Sequence, residues 1–183
     1  MRKVAWGITG AGDKLCDTLK EIECIRERYR RIVDIEVYLS KAAETVLKYY
    51  GLLNELRSSF NQVLIEVNSN SPFLASWLQL GEFEFLLIAP ATSNTVAKLA
   101  YGIADTMITN SAIMALKAYI PVYLMPTDFE PGETNTILPS GRILKFRVRK
   151  EDADNVKKLS KIDGLHLLSS PSDLEKIFRE HFG

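Results

Sequence analysis

The chain has 183 residues, 46% of them apolar, and 23 Lys and Arg balance 23 Asp and Glu, so its formal net charge is zero. That mix is ordinary for a globular domain long enough to bury its own core, and the balance supplies no bulk field to hold nucleic acid or an anionic membrane. No apolar run approaches the roughly 18 residues of a membrane span.

Residues 3–9 are short, apolar and followed by glycines, the pattern of a buried strand. From Asp13 the apolar spacing becomes Leu15, Leu19, Ile22, which predicts a helix with Asp13 as its cap. The two cysteines, Cys16 and Cys24, fall in this stretch. Eight residues of helix separate them by about 12 Å of rise, too far for a disulfide. Val33, Ile35, Val37 and Leu39 alternate with Asp34, Glu36 and Tyr38 in strand period, and a helix follows over 41–50. Residues 62–67 read as a third strand, and Ser71-Pro72 as the opening of a helix through Leu80. Residues 83–89 are apolar except for Glu84, as in a strand covered on both faces. Helical stretches at 95–100 and 104–119 precede a buried strand at 121–125. Residues 126–141 carry three prolines, two glycines and no periodicity, so they read as a structureless loop of the kind that is usually functional. A strand at 143–148, a helix at 151–160, a short strand at 165–168 and a helix at 172–182 complete the chain. The two histidines, His166 and His181, have no cysteine near them, so no metal-ligand spacing is present and no metal is expected.

Strands alternating with helices predict one α/β domain, a three-layer α/β/α arrangement on a mostly parallel sheet. The expected division is a core over 1–125, the loop over 126–141 and a strand–helix extension over 142–183. Ligands of such sheets bind beyond the carboxyl ends of the strands. The first such loop is Gly7-Ile8-Thr9-Gly10-Ala11-Gly12-Asp13, whose glycines suit backbone amides brought close to an anion. It lacks the last glycine of the dinucleotide fingerprint, and Asp13 stands where a P-loop has its lysine. Ser40 ends the second strand and can cap the next helix, reach a phosphate, or do both. After the fourth strand, Thr92-Ser93-Asn94-Thr95 offers four polar residues in a row where one cap needs one. Tight turns and caps are the structural readings of these features; a ligand with many acceptors is the functional one.

Gly7-Ile8-Thr9-Gly10-Ala11, together with the stretch from Ala89-Pro90-Ala91-Thr92-Ser93-Asn94-Thr95 through Lys98, Ala100, Gly102 and Asp105, resembles the flavoprotein superfamily of cysteine decarboxylases and flavin prenyltransferases. The resemblance spans about residues 3–126, and within the superfamily the chain is most similar to the archaeal flavoproteins related to dihydromethanopterin reductase. It implies a Rossmann-like fold, bound FMN, and a homo-oligomer built on trimers with FMN at a subunit interface. It also implies that Thr9, Gly10 and Ala11 lie beside the flavin, and that Ser40 meets its phosphate. Ala91, Thr92, Asn94 and Thr95 would hold phosphate, ribityl chain or ring edge, and a helix over 98–105 would lie near the oligomer contact.

Two departures bear on the chemistry. Residues 68–73 contain no histidine, where the decarboxylases carry one, and residues 121–128 lack the Asn and the Met-Trp pair of their clamp. The reading is therefore an FMN flavoprotein that takes electrons from a ferredoxin-type donor and reduces a small acceptor such as a pterin. Two alternatives stand beside it: an FMN-dependent decarboxylase or flavin prenyltransferase, and a non-catalytic flavin-binding module. The loop with Asp128, Glu130 and Glu133 has two readings: a cover over the flavin that selects the acceptor, or carboxylates that are simply solvated loop charges, the more ordinary of the two. Unpaired thiols and an N-terminus without an export pattern point to the cytoplasm, with no membrane or nucleic-acid partner.

Overall fold

A computed structural model describes residues 1–183. In chain order the elements are β1 (Arg2–Ile8), α1 (Leu15–Tyr29), β2 (Val33–Leu39), α2 (Lys41–Tyr50), α3 (Leu53–Ser59), β3 (Val63–Ile65), α4 (Leu74–Gln79) and β4 (Leu86–Ala91). Then come α5 (Ser93–Ala100), α6 (Met107–Lys117), β5 (Val122–Pro126), β6 (Gly132–Ile137), β7 (Ile143–Val148), α7 (Lys150–Leu159), β8 (Leu165–Leu167) and α8 (Asp173–Phe182).

Six strands form one sheet in the order β3-β2-β1-β4-β5-β8, every neighbouring pair parallel. Alternation along the strands sends their side chains into two cores. Val4, Trp6 and Ile8 of β1 join Val33, Ile35, Val37 and Leu39 of β2 on the face covered by α1, α2, α3 and α8. Ala5, Tyr38, Leu86 and Ile88 point to the other face, covered by α4, α5, α6 and α7. The result is the expected three-layer α/β/α domain, four helices to a side. Trp6, Tyr38, Phe85 and Phe178 are fully buried, and burying a side chain of this size contributes on the order of 2–3 kcal/mol. The strand order reverses between β1 and β4, so a crevice opens beyond their carboxyl ends.

Several sequence expectations are corrected. Residues 126–141 are not structureless: β6 pairs antiparallel with β7, in register from Gly132 opposite Val148 to Ile137 opposite Ile143. The strand at 143–148 therefore belongs to a separate two-stranded ribbon, not to the main sheet. Its first strand, Gly-Glu-Thr-Asn-Thr-Ile, carries one large apolar residue, so no hydrophobic period announced it. Asp13 does not cap α1; Lys14 occupies that position with φ 58° and makes no side-chain cap bond. The helix α3 follows the C-cap Gly51 of α2 after a single residue and was hidden by that closeness. The fourth strand runs on through Pro90 to Ala91. No single helix covers 98–105: α5 ends at Ala100, Gly102 turns at φ 69°, and Ile103 is 46% exposed. No helix is long and apolar enough to cross a membrane.

Candidate functional site

The tips of β1, β2 and β4 are tied together by the residues singled out from the sequence. The Ser40 amide donates to the Ile8 carbonyl at 3.1 Å, joining β2 to β1. The Thr9 hydroxyl donates to the Pro90 carbonyl at 2.9 Å and accepts from the Thr92 amide at 2.9 Å, joining β1 to β4. One turn below, the buried Trp6 indole donates to the Ala89 carbonyl at 2.8 Å. Ser40 caps α2, accepting from the Ala43 amide at 3.0 Å, and Thr92 caps α5, accepting from the Thr95 amide at 3.2 Å. Ala91 and Thr95 are buried, and Asn94 stands exposed on the first turn of α5.

Gly10 is glycine for a steric reason, since its neighbour is the Ala42 methyl and backbone, whereas at Gly12 the neighbour is the movable end of the Tyr50 side chain. A Cβ on Gly10 would lie 2.6 Å from the Ala42 methyl, and one on Gly12 would lie 2.6 Å from the Tyr50 hydroxyl. Both let the first loop close on α2, which brings its backbone beside the other tips. The amides of Gly10, Gly12, Ser93 and Asn94 donate to no protein acceptor. At the start of α5 these orphan donors add to the positive end of the helix dipole. Such a donor set suits an anion and gives no foothold to a cation, and no cluster of metal-ligating side chains is present.

Sequence reasoning missed Glu66, which lies just past β3. This buried carboxylate accepts from the Lys41 amide at 3.2 Å and from the Met107 amide at 2.9 Å, the first residues of α2 and α6. One side chain thus fixes two helix N-termini, and its charge complements both dipoles. No motif marks it; its only sequence signal is a lone carboxylate closing an apolar run.

Beside the strand tips lies a cavity of about 410 Å³. Asp13, Ser93 and Asp128 supply its polar wall, and Ala11, Gly12, Thr92 and Ser93 are shared with the strand-tip loops, so two of the four free amides belong to residues that line it. Tyr49 and Tyr50 from the end of α2 form a second wall. The β6–β7 ribbon roofs it with Thr136, Leu138, Leu144 and Phe146, and the Tyr50 hydroxyl donates to the Ile137 carbonyl at 3.4 Å. Ser93 donates to Asp128. Of the three loop carboxylates named from the sequence, only Asp128 lines the cavity; Glu133 pairs with Lys145 on the outside of the ribbon. Burial holds the Asp13 carboxyl above its usual range, against the pull of the Lys14 charge. Lys14 is itself pushed below the ordinary lysine range by burial, and its ammonium donates to the carbonyls of Pro126 at 2.9 Å and Ser169 at 3.0 Å. The Thr136 hydroxyl oxygen is buried without a partner. Neither histidine is here: His181 bonds the Tyr123 hydroxyl at 2.9 Å and His166 stacks on the Tyr123 ring.

A parallel sheet with free amides at its switch point, adjoining a cavity of this size, defines a Rossmann-like protein that binds a phosphate-bearing cofactor. The pattern of the Flavoprotein family matches residues 1–169, and the chain belongs to that family. It is 45% identical to an uncharacterised protein of Methanocaldococcus jannaschii over 99% of this chain and 96% of that one. It is 38% identical to a dihydromethanopterin reductase (acceptor) of Methanosarcina mazei over 70% of this chain and 56% of the relative. Among solved structures, Burkholderia xenovorans DmrB in complex with FMN, described as a cubic protein cage for redox transfer, superposes with a TM-score of 0.81. The two are 34% identical, over 98% of this chain and 94% of that one.

Proposed function

We propose that this protein binds FMN across the tips of β1, β2 and β4, takes electrons from a ferredoxin-type donor and reduces a small heterocyclic acceptor such as a pterin. The observation that carries this reading is the set of free amides at Gly10, Gly12, Ser93 and Asn94, gathered where the strand order reverses. The residues present fit the cofactor. Hydroxyl and amide groups at Ser40, Thr92, Asn94 and Thr95 suit a phosphate and a polyol chain, and the backbone of Thr9 to Ala11 offers a flat edge for a ring. When bound, FMN supplies the redox chemistry, and the protein supplies binding, orientation and exclusion of water. Thr9 acts here through its two bonds to the β4 tip, holding the Thr92–Thr95 turn in place. The similarity to a dihydromethanopterin reductase and to an FMN-bound redox cage supports an electron-transferring role over decarboxylation. The placing of both histidines with Tyr123, outside the cavity, supports the same choice.

The proposed assembly is a homo-oligomer built on trimers. Tyr101 is 63% and Ile103 46% exposed just past α5, and Phe73 and Leu80 are exposed at the two ends of α4, which suits burial against further copies. The exposed, unpaired Cys16 and Cys24 suit a reducing cytoplasm.

The test is flavin retention. Protein purified and loaded with FMN is expected to be yellow and to release FMN on denaturation. Ser40→Asp keeps the helix cap, since Asp caps as well as Ser, but sets a carboxylate against the phosphate. It is expected to weaken FMN binding at least tenfold with little change in unfolding temperature. Native protein that stays colourless with excess FMN while folded rejects the reading.

A further inference from the structure

We propose that the outer face of the β6–β7 ribbon is an interface with a second copy of this chain. The isoleucine tip of the ribbon seats in the groove between α1 and α3 of that copy, and the copy's tip seats reciprocally in this one. The contact lies outside the ligand cavity and away from the surface around α4 and α5 proposed for the trimer, so it stands without the FMN reading.

The ribbon is two-faced. Residues directly opposite each other in an antiparallel pair share a face. Thr136, Leu144 and Phe146 look into the cavity, so Ile137 with Ile143, Asn135 with Lys145, and Glu133 with Arg147 look away from it. Ile137 and Ile143 are both exposed, side by side at the tip. Cations stand around them: Lys145 pairs with Glu133, while Arg142 and Arg147 are exposed and enter no ion pair. Such a tip fits an apolar seat with an acidic rim.

The groove between α1 and α3 is such a seat. Its volume is about 260 Å³, below the roughly 300–1,000 Å³ of small-molecule sites and of a size for side chains. Leu19, Leu52 and Leu56 floor it, and Glu23 and Glu55 outweigh Lys20 on its rim. Glu55 enters no ion pair, and Glu23 accepts one bond, from the Ser59 hydroxyl at 3.1 Å. An acidic partner protein would suit the tip but be repelled by the groove; a second copy satisfies both at once. Tip and groove are also neighbours on one surface. The Tyr50 hydroxyl donates to the Ile137 carbonyl at 3.4 Å, and Leu52, two residues further on, lines the groove. A patch that carries a knob beside its matching hole closes on itself about a two-fold axis, each contact made twice. The exposed Cys16 thiol lies in the groove wall and is covered by the contact.

Two charge-reversed proteins test this by sedimentation velocity. One carries Arg142→Glu and Arg147→Glu on the ribbon; the other carries Glu23→Lys and Glu55→Lys in the groove. Each alone sets like charges against each other at every tip–groove contact and is expected to at least halve the native mass. In an equal mixture the acidic tip meets the basic groove and the basic tip meets the acidic groove. The native mass is then expected to return, which misfolded chains would not achieve. Cys16 in the native assembly is expected to react with iodoacetamide about tenfold more slowly than in the ribbon variant alone, since thiol reactivity follows access. A native mass of one chain or of one trimer overturns the inference. So does a mass that neither variant changes, which leaves tip and groove to a small apolar ligand or an acidic protein. A reduced mass that mixing fails to restore, or a Cys16 equally reactive throughout, places the ribbon against another surface and overturns it as well. The mass left in the separate variants reports on the trimer independently: three chains where that surface holds, one where it does not.

Discussion

The strand tips and the β6–β7 ribbon meet at the same cavity but are built on opposite principles. At the tips the side-chain hydroxyls of Thr9, Ser40 and Thr92 are bonded to the protein's own backbone, and what stays free is the backbone itself. Across the cavity the ribbon hangs outside the main sheet, exposes Ile137 and Ile143, and leaves the Thr136 hydroxyl without a partner. The contrast separates two tasks. Polar groups committed to the scaffold hold the strand tips in shape, while the ribbon keeps an uncommitted hydroxyl beside the cavity. Loops and ribbons of this kind sit at the low end of local stability because little apolar surface anchors them.

The contrast can be broken most severely at Glu66. Glu66→Ala leaves the first amides of α2 and α6 without their acceptor, one of them buried. It is expected to lower unfolding free energy by about 3 kcal/mol, measured by urea denaturation. A loss below about 1 kcal/mol would show that the two helix starts do not depend on this carboxylate. Next, Thr9→Val removes the bond to Pro90 and orphans the Thr92 amide. A loss of about 2 kcal/mol is expected, with hydrogen exchange at Thr92 to Thr95 rising before that of the sheet centre. Uniform exchange would mean that the tips are held by something other than Thr9.

Replacing the ribbon, residues 132–148, by a short Gly-Ser linker tests the other side. The six-stranded sheet should keep its cooperative unfolding, with a loss on the order of 1 kcal/mol, because mainly Val148 among these residues is buried. A non-cooperative transition would make the ribbon part of the core. The smallest effect is expected at Asp13, and its sign is informative. The folded-state pKa of Asp13 is raised, chiefly by burial, so the proton is bound more tightly in the folded chain than in the unfolded one. The associated stability is present below the unfolded value of 3.8 and is lost as pH rises through the folded value. At neutral pH the fold therefore carries the cost of a charged Asp13. Asp13→Asn should raise the melting temperature there and lose that advantage in acid below the unfolded value; a lowered melting temperature at neutral pH would assign Asp13 a stabilising partner.

Much of this architecture was legible residue by residue. The alternation of Val33, Ile35, Val37 and Leu39 placed β2, the serine before Lys41 marked the start of α2, and the glycine-flanked apolar runs marked β1 and β4. The polar run Thr92 to Thr95 pointed to the switch point of the sheet. Each of these signals is local: a period, a cap or a turn reports the few residues around it. What failed was also local in origin, since β6, Gly-Glu-Thr-Asn-Thr-Ile, shows no apolar period, and Gly51 masked the start of α3.

By itself the sequence determined the alternation of the main-sheet strands with helices, the two-faced burial of the sheet and the loops where a ligand belongs, because hydrophobic period and turn chemistry are written in neighbouring residues. Only the tertiary structure decided that Thr9 serves the Thr92 turn, that Glu66 joins the starts of α2 and α6 through the Lys41 and Met107 amides, and that Asp13 and Asp128 face one cavity under the ribbon. Those pairings depend on which loops the parallel crossovers bring together, and separation along the chain carries no trace of them.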